Sequence, residues 1–187
     1  MRNKQLPTLE AAQVRLRWLD YDDAPDLYAV FSDPQVTRYW SSVAWQSREQ
    51  ADDLVRDIHE CCAKGHLFQW GIESRDEGKI IGTCTLAAID RDHRRAEIGF
   101  ALARRCWGQG LMADALSRLL DHAFTDLGLY RIEADVDPAN TASLKTLKRL
   151  GFEQEGRLRA RWQVGGEIQD SVILGLLAPD WRALRGQ

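Results

Sequence analysis

Between Phe68 and Leu102 three stretches alternate like β-strands with almost nothing between them. Phe68, Trp70 and Ile72 share one side of the first, and Arg75-Asp76-Glu77-Gly78 turns the chain. Lys79 to Ile89 reads as the second strand, Asp90 to Arg95 as a turn, and Ala96 to Leu102 as the third. Connections this short join only antiparallel neighbours, because a parallel pair needs a crossover of about a dozen residues or more. The chain therefore contains an antiparallel meander, and its other elements have to be arranged around it.

Those other elements are mixed. Val14, Leu16 and Trp18 alternate with Arg15 and Arg17 as a half-buried strand. Asp20 or Asp22 can cap a helix carrying Ala24, Leu27, Tyr28 and Phe31 on one face, stopped by Asp33-Pro34. An aromatic loop with Tyr39, Trp40 and Trp45 follows. Ser47 and Gln50 then form a capping box for a helix with Leu54, Val55, Ile58 and Cys62 inward and Gly65 past its end. After the meander, Leu116, Leu119, Leu120, Ala123, Phe124 and Leu127 are spaced 3, 1, 3, 1 and 3, a strong helix stopped by Gly128. Ile132, Ala134 and Val136 form a strand. A helix from about Asn140 turns Leu144, Leu147 and Leu150 inward, and strands at Arg157–Val164 and Ile168–Leu177 flank Gly165-Gly166. The order β-α-α-β-β-β-α-β-α-β-β predicts an α+β fold, a mixed but mostly antiparallel sheet flanked by about four helices.

The 187 residues suit one domain, expected over 10–178 with tails at 1–9 and 179–187. Hydrophobic residues at 44% and charged residues at 28% argue against disorder. A net charge of −3 makes a poor match to nucleic acid, which favours a basic face. No apolar run approaches the roughly 20 residues of a membrane span, and Met1 to Gln13 lacks the apolar core of a secretory signal. A cytoplasmic protein with no membrane partner is expected. The cysteines at 61, 62, 84 and 106 form no CxxC pair, and a reducing compartment argues against disulfides. His59, Cys62 and His66 crowd one helix end, but a fourth ligand is missing, so no metal is expected.

The informative stretch is Arg104-Arg105-Cys106-Trp107-Gly108-Gln109-Gly110-Leu111-Met112, between a strand and a helix start. Glycines there let backbone approach a ligand closely, and the amides opening a helix aim at an anion. A pyrophosphate suits such a loop best, with Arg105 adding charge. A tight turn that binds nothing is the plainer alternative. Gly108 to Ala113 also fits G-x-G-x-x-A, with Glu133 or Asp135 about 20 residues on, as in dinucleotide sites. Context opposes that reading, because three antiparallel strands precede the loop and only 77 residues follow Gly110. A P-loop is excluded by the lack of Gly-Lys-Ser/Thr.

Arg105-Cys106-Trp107-Gly108-Gln109-Gly110 resembles the acyl-CoA pyrophosphate signature Arg/Gln-x-x-Gly-x-Gly/Ala of the GCN5-related N-acetyltransferase (GNAT) superfamily. Ala96-Glu97-Ile98-Gly99-Phe100, Asp137 to Ser143, and Leu150 to Gly156 resemble its RimJ/RimL-type branch, with spacing and element order agreeing over roughly 10–178. The resemblance implies an N-acetyltransferase that moves acetyl from acetyl-CoA directly to an amine, with a peptide N-terminus or small molecule as acceptor and a homodimer among the implied partners. It implies that the backbone of Arg105, Trp107, Gly108, Gln109, Gly110, Leu111 and Met112 holds the pyrophosphate. Phe100, Ala101 and Leu102 would pair with the pantetheine arm, and Asn140 and Ser143, on one helix face, would meet pantetheine and thioester sulfur. A non-catalytic acyl-CoA-binding module of the same fold is the contrasting possibility.

The chemistry needs a base, a donor to the charging thioester oxygen, and a proton for the leaving thiolate. Glu97 is the candidate base, since it shares its strand face with small Gly99 and Ala101; a plain solvent-facing carboxylate is the alternative. Backbone amides near Phe100 to Leu102 are candidate oxyanion donors, and Ser143 is the candidate acid for a thiol whose ordinary pKa is about 8.5. Asn140 as a simple N-cap is compatible with a CoA contact. One position departs from the RimL-type pattern. A glutamate seven residues beyond the Glu-Gly pair is a proposed base there, and this chain has Trp162.

Charge is unevenly placed. Residues 20–60 hold ten acidic and three basic side chains, whereas 140–161 hold six basic and two acidic, and 91–105 five and two. The basic parts suit CoA phosphates, and the acidic helices with Tyr39, Trp40, Trp45 and Trp162 suit a cationic acceptor, although charge runs are commonly solvated faces.

Overall fold

Strand alternation becomes two differently covered faces of one sheet. The computed structural model describes residues 5–186. Leu9–Glu10 (β1) and Val14–Arg17 (β2) pair first. Asp20 and Asp23 form a capping box around a 3-10 turn that leads into Ala24–Phe31 (α1), and Asp33 caps the short Pro34–Thr37 (α2). Glu49–Lys64 (α3) follows the aromatic loop. The meander is Phe68–Ser74 (β3), Ile80–Asp90 (β4) and Arg95–Leu102 (β5), and the glycine loop leads to Leu111–Thr125 (α4). Arg131–Val136 (β6), Thr141–Arg149 (α5), Glu153–Val164 (β7), Glu167–Leu177 (β8) and Ala178–Arg185 (α6) complete the chain.

The sheet order is β1-β2-β3-β4-β5-β6-β8-β7, and only β5–β6 is parallel. That exception follows from connectivity, because α4 is the crossover that a parallel pair requires. Ile98 and Leu102 of β5, Ile132, Ala134 and Val136 of β6, and the Leu116, Leu119 and Leu120 stripe of α4 share one buried cluster. Full burial of each such leucine is worth about 1.5–3 kcal/mol, enough to hold α4 against the sheet. On the opposite face, Leu27 and Phe31 of α1 and Val55 and Ile58 of α3 pack with Ala101. No helix among the described residues is long and apolar enough to cross a membrane.

Three local expectations change. The segment 179–187, expected as a tail, contributes most of α6; Trp181 is buried and donates its indole N–H to Asp121 at 2.9 Å. Eight residues are too few for a clear apolar period, so this helix is held by a tertiary contact. The α3 capping box is half formed: Gln50 accepts the Ser47 N–H, while the helix opens at Glu49 without a side-chain cap. Trp18 is only partly buried and stacks on His59 at 4.6 Å, whose Nε2 bonds the Leu19 carbonyl.

Candidate active site

β5 and β6 run together only where Arg95–Glu97 faces Arg131–Glu133. Beyond Glu97 they part, although β5 stays paired with β4 to Leu102 and β6 with β8 to Val136. Strand groups alternate in direction. The Ala103 N–H donates to Ile81 O at 2.7 Å, so Gly99 and Ala101 spend theirs on β4 while Ile98 and Phe100 direct theirs into the opening. One expected residue is corrected here. Ala101 has its amide in the β4 ladder and its side chain packed under α1, so it neither lines the opening nor makes room there. Leu102 directs its N–H to the same side as Ile98 and Phe100, while its carbonyl accepts the Trp107 indole N–H at 2.7 Å.

A cleft of about 540 Å³ lies over this opening, on the α1–α3 side. Its floor is made by alternate residues of successive strands: Gln69, Thr85, Glu97 with Gly99, Asp135, and Ser171. Phe31, Tyr39, Trp40, Trp45, Leu54 and Leu67 form a wall. Phe31 meets Trp40 edge-on at 5.1 Å and Trp45 at 4.8 Å, which fixes the aromatic loop to α1. Trp162 lies across the cleft, 41% exposed, with its Nε1 donating to Asp135 at 3.3 Å. Its direction comes from an irregularity in β7: Ala160 takes φ of +51°, and its N–H is held by Asp170 at 2.9 Å.

Asn140 and Ser143 also line the cleft, though not as two residues of one helix face. Asn140 precedes α5 and accepts the Ser143 N–H at 3.1 Å, so it is the cap, and Ser143 sits in the first turn. Glu97, Phe100, Asn140, Ser143, Tyr39, Trp40, Trp45 and Trp162 are thus brought together.

The glycine loop lies beyond the end of β5. Gly108 and Gly110 have φ of +76° and +80°, the left-handed region that glycine enters freely, and a Cβ on Gly108 would have no atom within 4 Å. Gln109 braces the loop by donating to the Arg105 carbonyl at 2.9 Å. No side chain caps the start of α4, so the amides of Leu111 and Met112 remain available to an anion. Asp114, which could compete as a first-turn carboxylate, instead accepts the backbone N–H of Gln13 at 2.7 Å. Arg105 pairs with Glu77 at 2.7 Å with both side chains about half exposed, a bond weak enough to exchange for a phosphate.

The acidic side chains of α3 do not supply the cleft. Asp52, Asp53, Asp57 and Glu60 face solvent, and the carboxylates that line it are Glu97, Asp135, Asp137 and Asp170. Among the described residues no lysine, arginine or histidine lines the cleft itself, although Arg161 reaches Asp135 at its rim at 3.4 Å. Asp135, Ser171 and Gln69 escape sequence reasoning, because each reads as the polar half of an alternating strand. Only the registers Gln69–Thr85–Gly99 and Glu97–Glu133 put them on a common floor. Burial pushes the thiols of Cys84 and Cys106 up, and no cysteine lines the cleft.

Comparison with known proteins agrees with this geometry. The sequence model of the acetyltransferase (GNAT) domain matches residues 13–153. The "uncharacterized N-acetyltransferase p20" of Bacillus licheniformis is 36% identical over 176 residues, covering 94% of this chain and 99% of that protein. A "[ribosomal protein uS5]-alanine N-acetyltransferase" of Escherichia coli strain K12 is 30% identical over 138 residues, 73% of this chain and 68% of its own. Among solved structures, a GCN5-related N-acetyltransferase from Brucella melitensis superposes with a TM-score of 0.87 at 21% identity, covering 98% of this chain and 84% of that one.

Proposed function

Because the chain belongs to the GNAT family and is an acyl-CoA-dependent N-acetyltransferase, we propose that it moves the acetyl group of acetyl-CoA to a primary amine by direct attack, the acceptor being a peptide N-terminus or a small amine. The parting of β5 from β6 beside an uncapped α4 carries this reading. The opening exposes strand-edge amides and carbonyls suited to an amide-bearing arm, and the helix start with Arg105 suits a pyrophosphate.

In this reading Leu111 and Met112 hold the pyrophosphate through their amides, with Arg105 released from Glu77. Ile98 and Phe100 receive the pantetheine arm as an added strand. The amine nitrogen bonds to the thioester carbon, its proton passes to the Glu97 carboxylate, and the C–S bond breaks. The Phe100 N–H stabilises the oxygen as it charges, and the Ser143 hydroxyl relays a proton to the leaving thiolate, taking one from water as it gives its own. Trp40 and Trp45 keep water from the reacting atoms. The likeness to an alanine N-acetyltransferase supports an α-amine as one acceptor, whereas Trp162, in place of the RimL-type glutamate, argues for a different partner.

Acetyl-CoA turnover against a panel of N-terminal peptides and small amines tests the proposal, read by free thiol and by product mass. Amine-dependent thiol release with an N-acetylated product is expected. CoA binding without turnover on any acceptor would instead identify a non-catalytic module.

A further inference from the structure

One end of the cleft is more elaborately built than transfer to a lone amine requires. Asp135 stands on β6 beyond Glu133, which faces Glu97 across the parallel contact. Ideal strand geometry puts the backbones of Glu97 and Asp135 about 8 Å apart, and the parting of the strands widens that gap. Around Asp135 the cleft is lined by Asp137, Asp170, Gln169, Ser171 and the Trp162 ring. Asp170 is already held by Arg157 and the Ala160 N–H, which leaves Asp135 and Asp137 beside an aromatic face to favour a cation. An independent feature points the same way: Ser171 is 1% exposed, lines this end, and has no hydrogen-bond partner for its Oγ. A buried hydroxyl without a partner is costly, and a bound N–H donor would relieve it.

Asp135 is not idle in the absence of a ligand. Arg161 approaches it at 3.4 Å, with the guanidinium over the Trp162 ring at 5.3 Å. Both contacts to Asp135 are long, and the Arg161 side chain is 46% exposed, so the arginine can return to solvent once another cation takes its place beside Asp135, whose side chain is only 17% exposed. Its geometry is that of an internal stand-in, a cation placed over an aromatic ring and beside a carboxylate.

We propose that Asp135, Ser171 and Trp162 form a second subsite that binds a cationic group carried by the acceptor in addition to the amine that is acetylated. The enzyme then prefers dicationic acceptors, with Arg161 competing for the subsite until the acceptor arrives. This rests on the transferase reading above. Asp135 is a specificity residue in this scheme and has no role in the proton transfers.

Cadaverine and n-pentylamine test it, because they share a five-carbon chain and differ by one ammonium group. The parent enzyme should acetylate cadaverine with a kcat/KM about tenfold or more above that of pentylamine, as expected for a charge-assisted hydrogen bond. Asp135→Asn should raise KM for cadaverine about tenfold more than KM for pentylamine, with kcat for pentylamine reporting on folding and chemistry. Arg161→Gln should act in the opposite direction, lowering KM for cadaverine alone. Equal use of the two amines by the parent, or equal losses on both in Asp135→Asn, overturns the subsite while leaving the transferase reading intact. Should neither amine be acetylated, calorimetry of each in the presence of CoA decides: cadaverine binding that Asp135→Asn abolishes supports the subsite, and no difference between the amines removes it.

Discussion

Glu97, unlike Glu133, Asp135 and Asp170, has no ion-pair partner among the described residues. Around it Glu133 is held by Arg95 and Arg131, Asp135 by Arg161, and Asp170 by Arg157. A carboxylate free of arginine, beside the vacant side of Gly99, is placed to take a proton from an incoming amine. Glu97→Gln is expected to cut kcat by about a hundredfold or more, within the range for losing a general base, and to leave CoA affinity unchanged. A rate and pH profile matching the parent with a good acceptor would remove Glu97 from the base role. Alternation along its strand made this residue legible from sequence. Asp135 and Ser171 were not, since their approach to Glu97 exists only across the β5–β6 and β6–β8 registers.

The element proposed to hold the donor is the loop from Ala103 to Gly110. Its two glycines were readable as a motif, but the structure adds their signs of φ and the open space beside Gly108. A side chain at Gly108 meets two separate penalties, backbone strain of about 1–2 kcal/mol in the left-handed region and occupation of the space a phosphate would take. Gly108→Ala carries the first with little of the second, so the pair of variants separates them. Calorimetry should show CoA binding weakened about tenfold or more in Gly108→Val and much less in Gly108→Ala, with thermal stability lowered similarly in both. Unchanged CoA affinity in Gly108→Val would mean the loop is only a turn. The same distinction applies to α5, whose cap is both structural and at the cleft: Asn140 satisfies Ser143 while lining the opening.

Across the whole molecule, the cleft face depends on how the N-terminal strand and α1 are joined to the meander. Glu73 of β3 is almost buried between Arg15 and Arg17 of β2, and Arg17 also holds Asp23 at 2.7 Å at the entry to α1. Burial by itself would raise the Glu73 carboxyl, but the hydrogen bonds and charges of Arg17 and Arg15 outweigh it and hold it below the ordinary carboxylate range. A pKa lower in the folded than in the unfolded chain, where it is about 4.3, means that protonation favours unfolding. The stabilisation is therefore present above about pH 4.3 and is lost as pH falls through the lower folded value. Denaturant unfolding should give a stability that declines on acidification below that point. Glu73→Gln should lower stability at neutral pH by about 1.5 kcal/mol, as for a lost charge-assisted hydrogen bond, because Arg15 is part-exposed and Arg17 keeps Asp23, and should flatten the acid slope. An identical slope in the variant would assign the acid sensitivity elsewhere. By itself the sequence determined the order of the longer elements, the meander and the glycine loop, because periodicity and short connections act between near neighbours, whereas the short β1, α2 and α6 left no such pattern. Tertiary structure alone decided that β5 and β6 part after Glu97, that α6 docks through Trp181 on Asp121, and that carboxylates from β5, β6 and β8 share one aromatic-walled cleft. Those outcomes depend on strand register and packing between residues up to about a hundred positions apart, which no local pattern encodes.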